Sequence, residues 1–500
     1  MRKSYAASID IWSSGACAAF GIITVLWCTR PILVHQNLND DSYITLTYAK
    51  NLAAGSGFVY NHAPATLGTT TPLFTLLCAV GARLMPVWDV ADVAILSSIA
   101  AWLMAAGLLF VCLRQVGMAI LPAAIAAVIQ LLLVRTWQPF IGMEIWLFQF
   151  LLLLTLYLWL VEKPLAAGIC VALLALTRGE GALLGLILGV LYLMEGRKPL
   201  LRFVSGGLLI SVLWVAYALP VFGTVIPNTL AAKQAQAHLP SARAFLERIP
   251  TDLLNYVSTF GIEAWGLTHP WLNVVWLLVI LGVWQMGRRY PKLLLLPVWA
   301  LIYLAAYALI NPNAYVWYVL HLVFVVHVVC GVALAALVEW QGALRGGQRW
   351  SALGVIVVLA ALFLYTDLTY AVTQAPHYAG DSRADAYRAL TDWLRTNTSA
   401  QESVAYIEIG YLGYFSQNRI VDLAGLVDPT ITAHIATDGF VWGFEAYHPD
   451  YYVDNPAFDW ALGSLRPQLA DYEERFVINS LTDAPNIRIL QRRDKPVETK

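Results

Sequence analysis

The sequence has 500 residues, of which 59% are hydrophobic and 13% are charged, and its formal net charge is −1. A water-soluble chain could not hide so much apolar surface, so the composition excludes a soluble protein and requires lipid as the solvent. The charge balance does not suggest a nucleic-acid partner. All six cysteines lie in apolar stretches, which indicates buried, inert thiols rather than a disulfide framework or a zinc cluster.

A helix needs about 20 apolar residues to cross a bilayer core that is about 30 Å thick. Twelve apolar stretches are candidate spans, although several are shorter than this, and they predict a polytopic transmembrane bundle of about 11–13 helices. They cover residues 11–34, 72–87, 90–113, 118–135, 143–161, 164–177, 180–195, 203–222, 271–287, 292–310, 315–338 and 352–372.

Basic residues beside the spans predict which side of the membrane each loop occupies. The basic N-terminus and the basic clusters near 288–292 and 345–349 mark the cytoplasmic side. Counting spans from these clusters places the C-terminal part of the chain outside. We therefore predict a transmembrane domain at 1–374 with outer loops at 35–70 and 223–270, and an extracytoplasmic domain at 375–500.

Before residue 200, the number of predicted membrane crossings disagrees with the predicted sides of the loops. Six candidate spans separate the outer loop 35–70 from the basic loop at 197–198, whereas an odd number is required. We therefore predict that one segment is miscounted. Either 72–87 does not cross the membrane, or 164–195 is a single helix that is broken in its middle.

After Pro376 the pattern changes to that of a soluble domain. A helix is predicted at 383–396, followed by strands at 403–408 and 419–422. Alternation of this kind is typical of a small α/β domain. The predicted fold class is therefore mainly α, a helical membrane bundle with a C-terminal soluble α/β domain.

The first outer loop opens with Asp40-Asp41, ahead of apolar residues at helical spacing, Ile44, Tyr48 and Leu52. We predict a short interfacial helix with Asp41 as its N-cap. Adjacent carboxylates at this position suit a general base, a metal site or a contact to a sugar hydroxyl. The alternative is a helix cap with a solvated neighbour, and a cap is compatible with a catalytic role.

The second outer loop holds a turn at 222–229 followed by Lys233, which at this depth suits an anionic headgroup. The alternative is a helix-ending turn with a snorkelling lysine. Further along, apolar residues between 242 and 256 predict an amphipathic surface segment that bends at Pro250.

Glu144, Arg178 and Glu180 are ionisable residues flanked by long apolar runs. Such residues usually face a bundle interior or a water-filled cavity, and they are functional candidates by default. Arg178 either forms a structural ion pair with a glutamate or grips the phosphate of a lipid carrier. His321 and His327 lie six residues apart on different helix faces, which argues against a shared metal site. Most tryptophans and tyrosines are expected in interfacial belts rather than as sugar platforms.

Five stretches together resemble the polyprenyl-phosphate-dependent glycosyltransferases of the type C superfamily (GT-C). The bacterial branch that includes terminal arabinofuranosyltransferases is the most similar. The resemblance rests on DDSYITLTYAKNLAAGSGFVYN with the following TTTPLF, GMEIWLFQFLLLLTLYL at 142–158, LTRGEGALL at 176–184, PNTLAAK at 227–233, and GYLGYFSQNRIVDLAGLVDP at 410–429.

Two departures from the family pattern stand out. The family more often has Arg-Pro-Glu where this chain has Arg178-Gly179-Glu180, and Glu-Gly-Tyr-Thr where it has Leu-Gly-Thr-Thr at 67–70. The second change falls on the loop near the expected acceptor site. The resemblance therefore leaves the acceptor open, and arabinose is not inferred as the sugar.

The resemblance implies a membrane enzyme that moves a sugar from a polyprenyl-phosphate donor to a glycan, lipid or protein acceptor on the outer face of the bacterial plasma membrane. Asp40 or Asp41 would deprotonate the acceptor or organise the site, and Arg178 and Lys233 would hold the donor phosphate. Some relatives use a divalent cation (Mg, Mn or Ca) and others do not. The remaining substrate-binding candidates are Tyr43, His62, Glu144, Glu180 and Asn228.

The main rival function is a transporter or flippase of lipid-linked sugars, which also needs many helices and buried charges. Further alternatives are a glycan ligase or polymerase, and an inactive scaffold that binds wall glycan through the soluble domain. A transporter would more often show repeated halves and no large outer domain. The sequence shows no internal repeat, which favours the transferase.

Overall fold

Apolar helices make up most of the chain up to residue 373. The computed structural model describes residues 2–61, 64–239, 244–257, 272–478 and 486–493. The helices of this first part are α1 (Arg2–His35), α2 (Asp40–Ala53), α3 (Pro72–Leu84), α4 (Val90–Gln115), α5 (Ile120–Leu132), α6 (Val134–Trp137), α7 (Ile145–Leu160), α8 (Pro164–Thr177), α9 (Gly181–Glu195), α10 (Arg197–Phe222), α11 (Asn228–Gln236), α12 (Phe245–Val257), α13 (Leu272–Arg289), α14 (Leu295–Ile310), α15 (Trp317–Gly342) and α16 (Gly346–Thr373).

Each of the twelve predicted spans contains a helix, and the predicted helical membrane bundle is confirmed. Among the described residues, six helices are long and apolar enough to cross a membrane, and α5 with α6 would form a seventh span, bent by 48°. Four further apolar helices, α3, α7, α8 and α9, have only 13 to 16 residues. They extend about 20–24 Å, so the predicted 11–13 helices include four that are too short to cross an undistorted bilayer.

The segment 164–195 is a helical hairpin. The prediction that it is a single helix broken in its middle is therefore wrong. A Cβ atom added at Gly185 would lie 2.7 Å from Cγ1 of Val171. In a straight helix, 14 residues would separate these positions by about 21 Å. Helix α9 therefore folds back along α8, and residues 178–180 form the turn between them.

Helices α8 and α10 approach closely because glycines stand at their crossing. A Cβ atom at Gly168 of α8 would collide with the backbone carbonyl of Phe203, and one at Gly206 of α10 would collide with that of Leu165. Without a side chain at these positions, the two backbones pack directly against each other.

Helix α15 is the centre of the bundle. Its apolar window is 94% buried, and it packs against α5, α7, α12, α13, α14 and α16. Its first residues, Trp317 and Tyr318, are largely buried. A fully surrounded helix has little freedom to shift, so α15 supplies a fixed wall at the end of the bundle where the soluble domain sits.

The C-terminal domain has the predicted α/β class. Its five-stranded sheet has the order β2-β1-β3-β5-β4, in which β1 runs parallel to β2 and β3, and β5 runs antiparallel to β3 and β4. Its elements are α17 (Ala384–Asn397), β1 (Ser403–Tyr406), α18 (Gly410–Phe415), β2 (Arg419–Asp422), α19 (Pro429–Asp438), α20 (Val441–Tyr447), β3 (Tyr451–Asp454), α21 (Asp459–Leu462), β4 (Tyr472–Ile478) and β5 (Ile487–Arg492).

The segment between α1 and α3, predicted to be the first outer loop, holds the soluble domain on the bundle. The two carboxylate oxygens of Asp40 accept hydrogen bonds from the backbone N–H groups of Gly410 (3.0 Å) and Tyr411 (2.9 Å). The ring of Tyr43 packs on Tyr411 with 4.6 Å between ring centroids. Asn61 exchanges two hydrogen bonds with the backbone of Ile420. Helix α2 is therefore clamped between the two parts of the chain.

Two predictions about this loop are wrong. The N-cap of α2 is Asn39, whose side chain accepts the N–H of Asp41 at 3.1 Å, so Asp40 and Asp41 occupy the first helical turn. Helix α2 is also not an interfacial surface helix. The soluble domain covers the face of α2 that carries Tyr43, and most residues of this helix are buried.

The glycine crossing gives a prediction about stability. Gly168→Ala or Gly206→Ala should lower the free energy of unfolding by about 1–3 kcal/mol, because neither backbone can move away without unpacking α8 from α10. Thermal unfolding in detergent micelles measures the effect. Gly189→Ala is the matched control, since a Cβ atom there meets nothing within 4 Å, and unchanged stability in all three variants would contradict the assignment.

The Asp40 contact gives a second prediction. Asp40→Ala leaves two buried N–H donors without acceptors and should lower the free energy of unfolding by about 2–4 kcal/mol. Asp41→Ala should change it by less than about 0.5 kcal/mol, because no described residue donates a hydrogen bond to that carboxylate. Thermal unfolding and limited proteolysis at the domain junction compare the two variants. An equal loss of stability in both would contradict the different roles assigned to Asp40 and Asp41.

Candidate active site

Two cavities meet where the bundle joins the soluble domain, and Asp41 and Lys233 line both of them. The first, the interface cavity, encloses about 120 Å³, and part of its wall belongs to the soluble domain. The second, the bundle cavity, encloses about 50 Å³ among the ends of the bundle helices. The interface cavity is lined by Asp40, Asp41, Ile44, Lys233, Gln236, Leu239, Asn313, Tyr315, Ile407, Glu408, Ala424, Leu426, Phe440, Phe458 and Trp460. The bundle cavity is lined by Asp41, Ile44, Thr45, Gly68, Thr69, Thr70, Thr71, Met143, Glu144, Arg178, Thr229, Lys233, Trp317 and Leu426.

The two adjacent aspartates have different surroundings. Asp40 is 3% exposed and its carboxylate is occupied by the backbone of α18, so it positions the loop. Asp41 is half-buried and faces the point where the cavities meet. Burial raises the pKa of Asp41, and Lys233 opposes this shift. A raised pKa brings a carboxylate closer to the range in which it can accept a proton at neutral pH.

Lys233 lies in a cage of aromatic rings. Its Nζ is 4.2 Å from the ring centroid of Tyr315, 5.0 Å from that of Trp317 and 5.4 Å from that of Tyr318. Burial lowers its pKa to about 8, and Asp41 opposes this shift. The rings stabilise the ammonium by cation–π contacts, and the Lys233 side chain lines both cavities. Within the described parts of the chain, no carboxylate forms an ion pair with it.

Glu144, Arg178 and Glu180 form one ion-paired group. Arg178 donates to Oε1 of Glu144 at 2.7 Å, and to Oε1 of Glu180 at 2.9 and 3.2 Å. Tyr307 donates a further hydrogen bond to Glu180 at 2.6 Å. The ion pair that the sequence offered as one alternative is therefore present. Arg178 and Glu144 nevertheless line the bundle cavity, where the guanidinium charge acts on whatever occupies it.

Two predicted substrate-binding residues, Tyr43 and Asn228, donate hydrogen bonds to backbone carbonyl groups of the protein. Tyr43 is fully buried, lines neither cavity and donates its hydroxyl proton to the backbone of Gln36. The Nδ2 group of Asn228 donates to the carbonyl oxygens of Gly425 at 2.7 Å and Leu426 at 3.1 Å. Asn228 therefore ties α11 to the soluble domain and fixes the helix that carries Lys233. Substrate binding by these two side chains stays a prediction.

The sequence analysis missed Glu408. It accepts hydrogen bonds from Arg383 and Tyr387 and lines the interface cavity. Burial raises its pKa, and Arg383 opposes this shift. Glu408 follows the carboxyl end of β1, the edge at which parallel strands present functional side chains, and this position was the signal available in the sequence.

A row of threonine hydroxyls, also missed, lines the bundle cavity. Thr45, Thr69 and Thr71 hydrogen-bond one another at 3.1–3.3 Å. Thr69 lies in the segment that departs from the family pattern. Hydroxyls that already share hydrogen bonds still have lone pairs and rotatable protons for a polar ligand.

The remaining predictions concern His62, His321 and a metal site. His62 lies outside the described residues. His321 is buried against Phe148, with 4.2 Å between ring centroids, and lines neither cavity. Across the described ranges, no group of three or more His, Cys, Asp or Glu side chains is arranged to hold a metal ion. A divalent cation stays a prediction.

Comparison with known proteins identifies solved structures with a similar fold. Residues 376–494 match the model of a domain of unknown function (DUF8728). No curated protein sequence matches the chain. Among solved structures, ArnT from Cupriavidus metallidurans bound to undecaprenyl phosphate matches with a TM-score of 0.58 and 14% identity, over 95% of this chain and 98% of that chain. The apo form of ArnT matches with a TM-score of 0.57 and 14% identity, over 96% and 98%. The chain therefore has, over nearly its whole length, the fold of ArnT.

Proposed function

We propose that this protein is a membrane glycosyltransferase that moves a sugar from a polyprenyl-phosphate donor to an acceptor hydroxyl of the cell envelope. One observation carries the proposal: Asp41 and Lys233, a carboxylate and an ammonium without an ion-pair partner in the described residues, stand together where two cavities meet. A two-substrate transfer needs one site for each substrate and one shared catalytic point. The fold of ArnT, which was solved with undecaprenyl phosphate, supports the donor class.

We assign the donor phosphate to the bundle cavity. The ammonium of Lys233 supplies a positive charge, and the threonine hydroxyls supply hydrogen-bond donors. The guanidinium of Arg178 adds positive potential, although its N–H groups already serve Glu144 and Glu180. This cavity lies among the helix ends, and we expect a prenyl tail to leave it between helices toward the lipid.

We assign the acceptor to the interface cavity, because the soluble domain contributes much of its lining and only Leu426 to the bundle cavity, so the interface cavity is closer to the aqueous phase. In the transfer step, the acceptor oxygen attacks the anomeric carbon of the donor sugar, and the bond from that carbon to the phosphate oxygen breaks. The carboxylate of Asp41 takes the hydroxyl proton. The polyprenyl phosphate leaves with the bonding electron pair, and Lys233 stabilises the negative charge that develops on it.

The location follows from the substrates. A prenyl-linked donor is confined to the bilayer, and the predicted topology places the soluble domain outside, so we propose that transfer occurs on the outer face of a bacterial plasma membrane. We propose no donor sugar. The similarity to the arabinofuranosyltransferase branch, the transfer of a preassembled glycan and a divalent cation each stay open to experiment.

Asp41→Asn should reduce transfer by at least about 100-fold, because the amide cannot accept the hydroxyl proton. The assay uses nanodisc-embedded protein, undecaprenyl-phosphate-linked glucose, mannose, galactose or arabinose in turn, an added mixture of glycoside, lipid and peptide hydroxyl acceptors, and release of undecaprenyl phosphate as the readout. Asp392→Asn is the matched control, since Asp392 is an exposed surface residue that pairs with Arg395. Full activity of Asp41→Asn would remove the carboxylate from the mechanism, and a transporter would release no undecaprenyl phosphate at all.

Lys233 gives a prediction about pH. Its pKa of about 8 means that it loses its charge as the pH rises through 8, so the KM for the donor should rise about tenfold per pH unit above that value. Lys233→Arg keeps the positive charge and should abolish this pH dependence. Initial rates between pH 6.5 and 9.5 measure both. A donor KM that is independent of pH in the parent protein would contradict the assignment of Lys233 to the phosphate.

A further inference from the structure

An exposed tryptophan stands in the wall of the interface cavity. Trp460 is 58% exposed and belongs to α21, yet it lines the same cavity as Asp41 and Lys233. A large aromatic side chain that is left accessible in the wall of a cavity indicates a contact surface rather than a packing role. Most other exposed tryptophans lie on apolar helices of the bundle, where we expect them to contact lipid.

The segment that carries Trp460 is well anchored. The Nδ2 group of Asn455 donates to the hydroxyl of Tyr406 at 2.9 Å, and its Oδ1 accepts the N–H of Ala457 at 3.1 Å. Phe458 packs edge-on against Tyr406 at 6.1 Å and 87°. These contacts hold the segment on the sheet, so the indole ring is presented to the cavity from a rigid base.

The polar groups of the same cavity suit a sugar. Asp41 and Glu408 provide carboxylates, and Gln236 and Asn313 provide amides. Carboxylates accept hydrogen bonds from hydroxyls, and amides both donate and accept them. A flat aromatic ring matches the C–H face of a pyranose or furanose ring. The interface cavity combines all three kinds of group, carboxylates, amides and an accessible aromatic ring.

We propose that the acceptor is a carbohydrate hydroxyl and that an acceptor sugar stacks on Trp460 while its reacting hydroxyl reaches Asp41. This inference rests on the proposed function and narrows its acceptor class from glycan, lipid or protein to glycan. The donor occupies the bundle cavity, to which Trp460 does not contribute, so Trp460 governs the acceptor alone.

The test measures acceptor and donor kinetics separately. Nanodisc-embedded protein receives a prenyl-linked sugar that it turns over, together with methyl mannopyranoside, methyl galactopyranoside, methyl glucopyranoside or methyl arabinofuranoside as acceptor probes. At least one glycoside should act as an acceptor. Trp460→Ala should raise the KM for that glycoside about tenfold, with kcat changed less than threefold, because a stacking contact is lost. Trp460→Phe, which keeps an aromatic ring, should restore most of the affinity.

Trp442→Ala is the matched control. Trp442 lies in the same domain, stacks on His434 at 3.9 Å and lines neither cavity, so its loss should leave the acceptor KM within twofold of the parent value. A general weakening of the soluble domain would affect both variants, whereas the proposal requires an effect in Trp460→Ala alone.

Several outcomes would overturn the inference. They are an unchanged acceptor KM in Trp460→Ala, a rise in the donor KM instead, no acceleration by any glycoside, or acceleration only by a serine-containing peptide or by diacylglycerol. The proposed function would fail differently. In that case the parent protein would release no polyprenyl phosphate from any donor, with or without an acceptor.

Discussion

The hydrogen bonds from Gly410 and Tyr411 to the carboxylate of Asp40 are the interaction on which the site depends. They hold the soluble domain on the first outer loop, and they direct Asp40 toward α18. Successive residues of an α-helix point about 100° apart, so the neighbouring Asp41 must face elsewhere. It faces the meeting point of the two cavities. The adjacent carboxylates therefore have different roles. Asp40 stabilises the domain junction, and Asp41 is available to react in the cavities.

Charge pairing explains why Lys233 and not Arg178 is the cation available to a ligand. Arg178 is held between Glu144 and Glu180, and this buried group keeps its charges compensated in a low-dielectric setting. Lys233 is surrounded by aromatic rings, which stabilise a cation without neutralising it. Because no carboxylate of the described residues lies within ion-pair distance of Lys233, this buried ammonium gains more from an incoming phosphate than the paired guanidinium of Arg178 does. The same burial makes its charge sensitive to pH near 8.

Much of the fold was predictable, because apolar length and alternation are local properties of the sequence. All twelve predicted spans contain helices, and the soluble domain has the predicted class. Asp41, Lys233, Arg178 and Glu144 were identified as isolated charges in apolar or outer segments, and all four line a cavity. The different roles of Asp40 and Asp41 were not predictable, because Asp40 is fixed by residues 370 positions away. Trp460 was missed for the same reason: its exposure and its cavity depend on how the soluble domain docks.

The most direct test of the central claim is a cryo-electron microscopy structure of the nanodisc-embedded protein with undecaprenyl phosphate. Our account predicts phosphate density in the bundle cavity, within hydrogen-bond distance of Nζ of Lys233 and beside Asp41, with the prenyl tail leaving between the bundle helices toward the lipid. Phosphate density away from Lys233, or a lipid bound to the protein with both cavities empty, would contradict it.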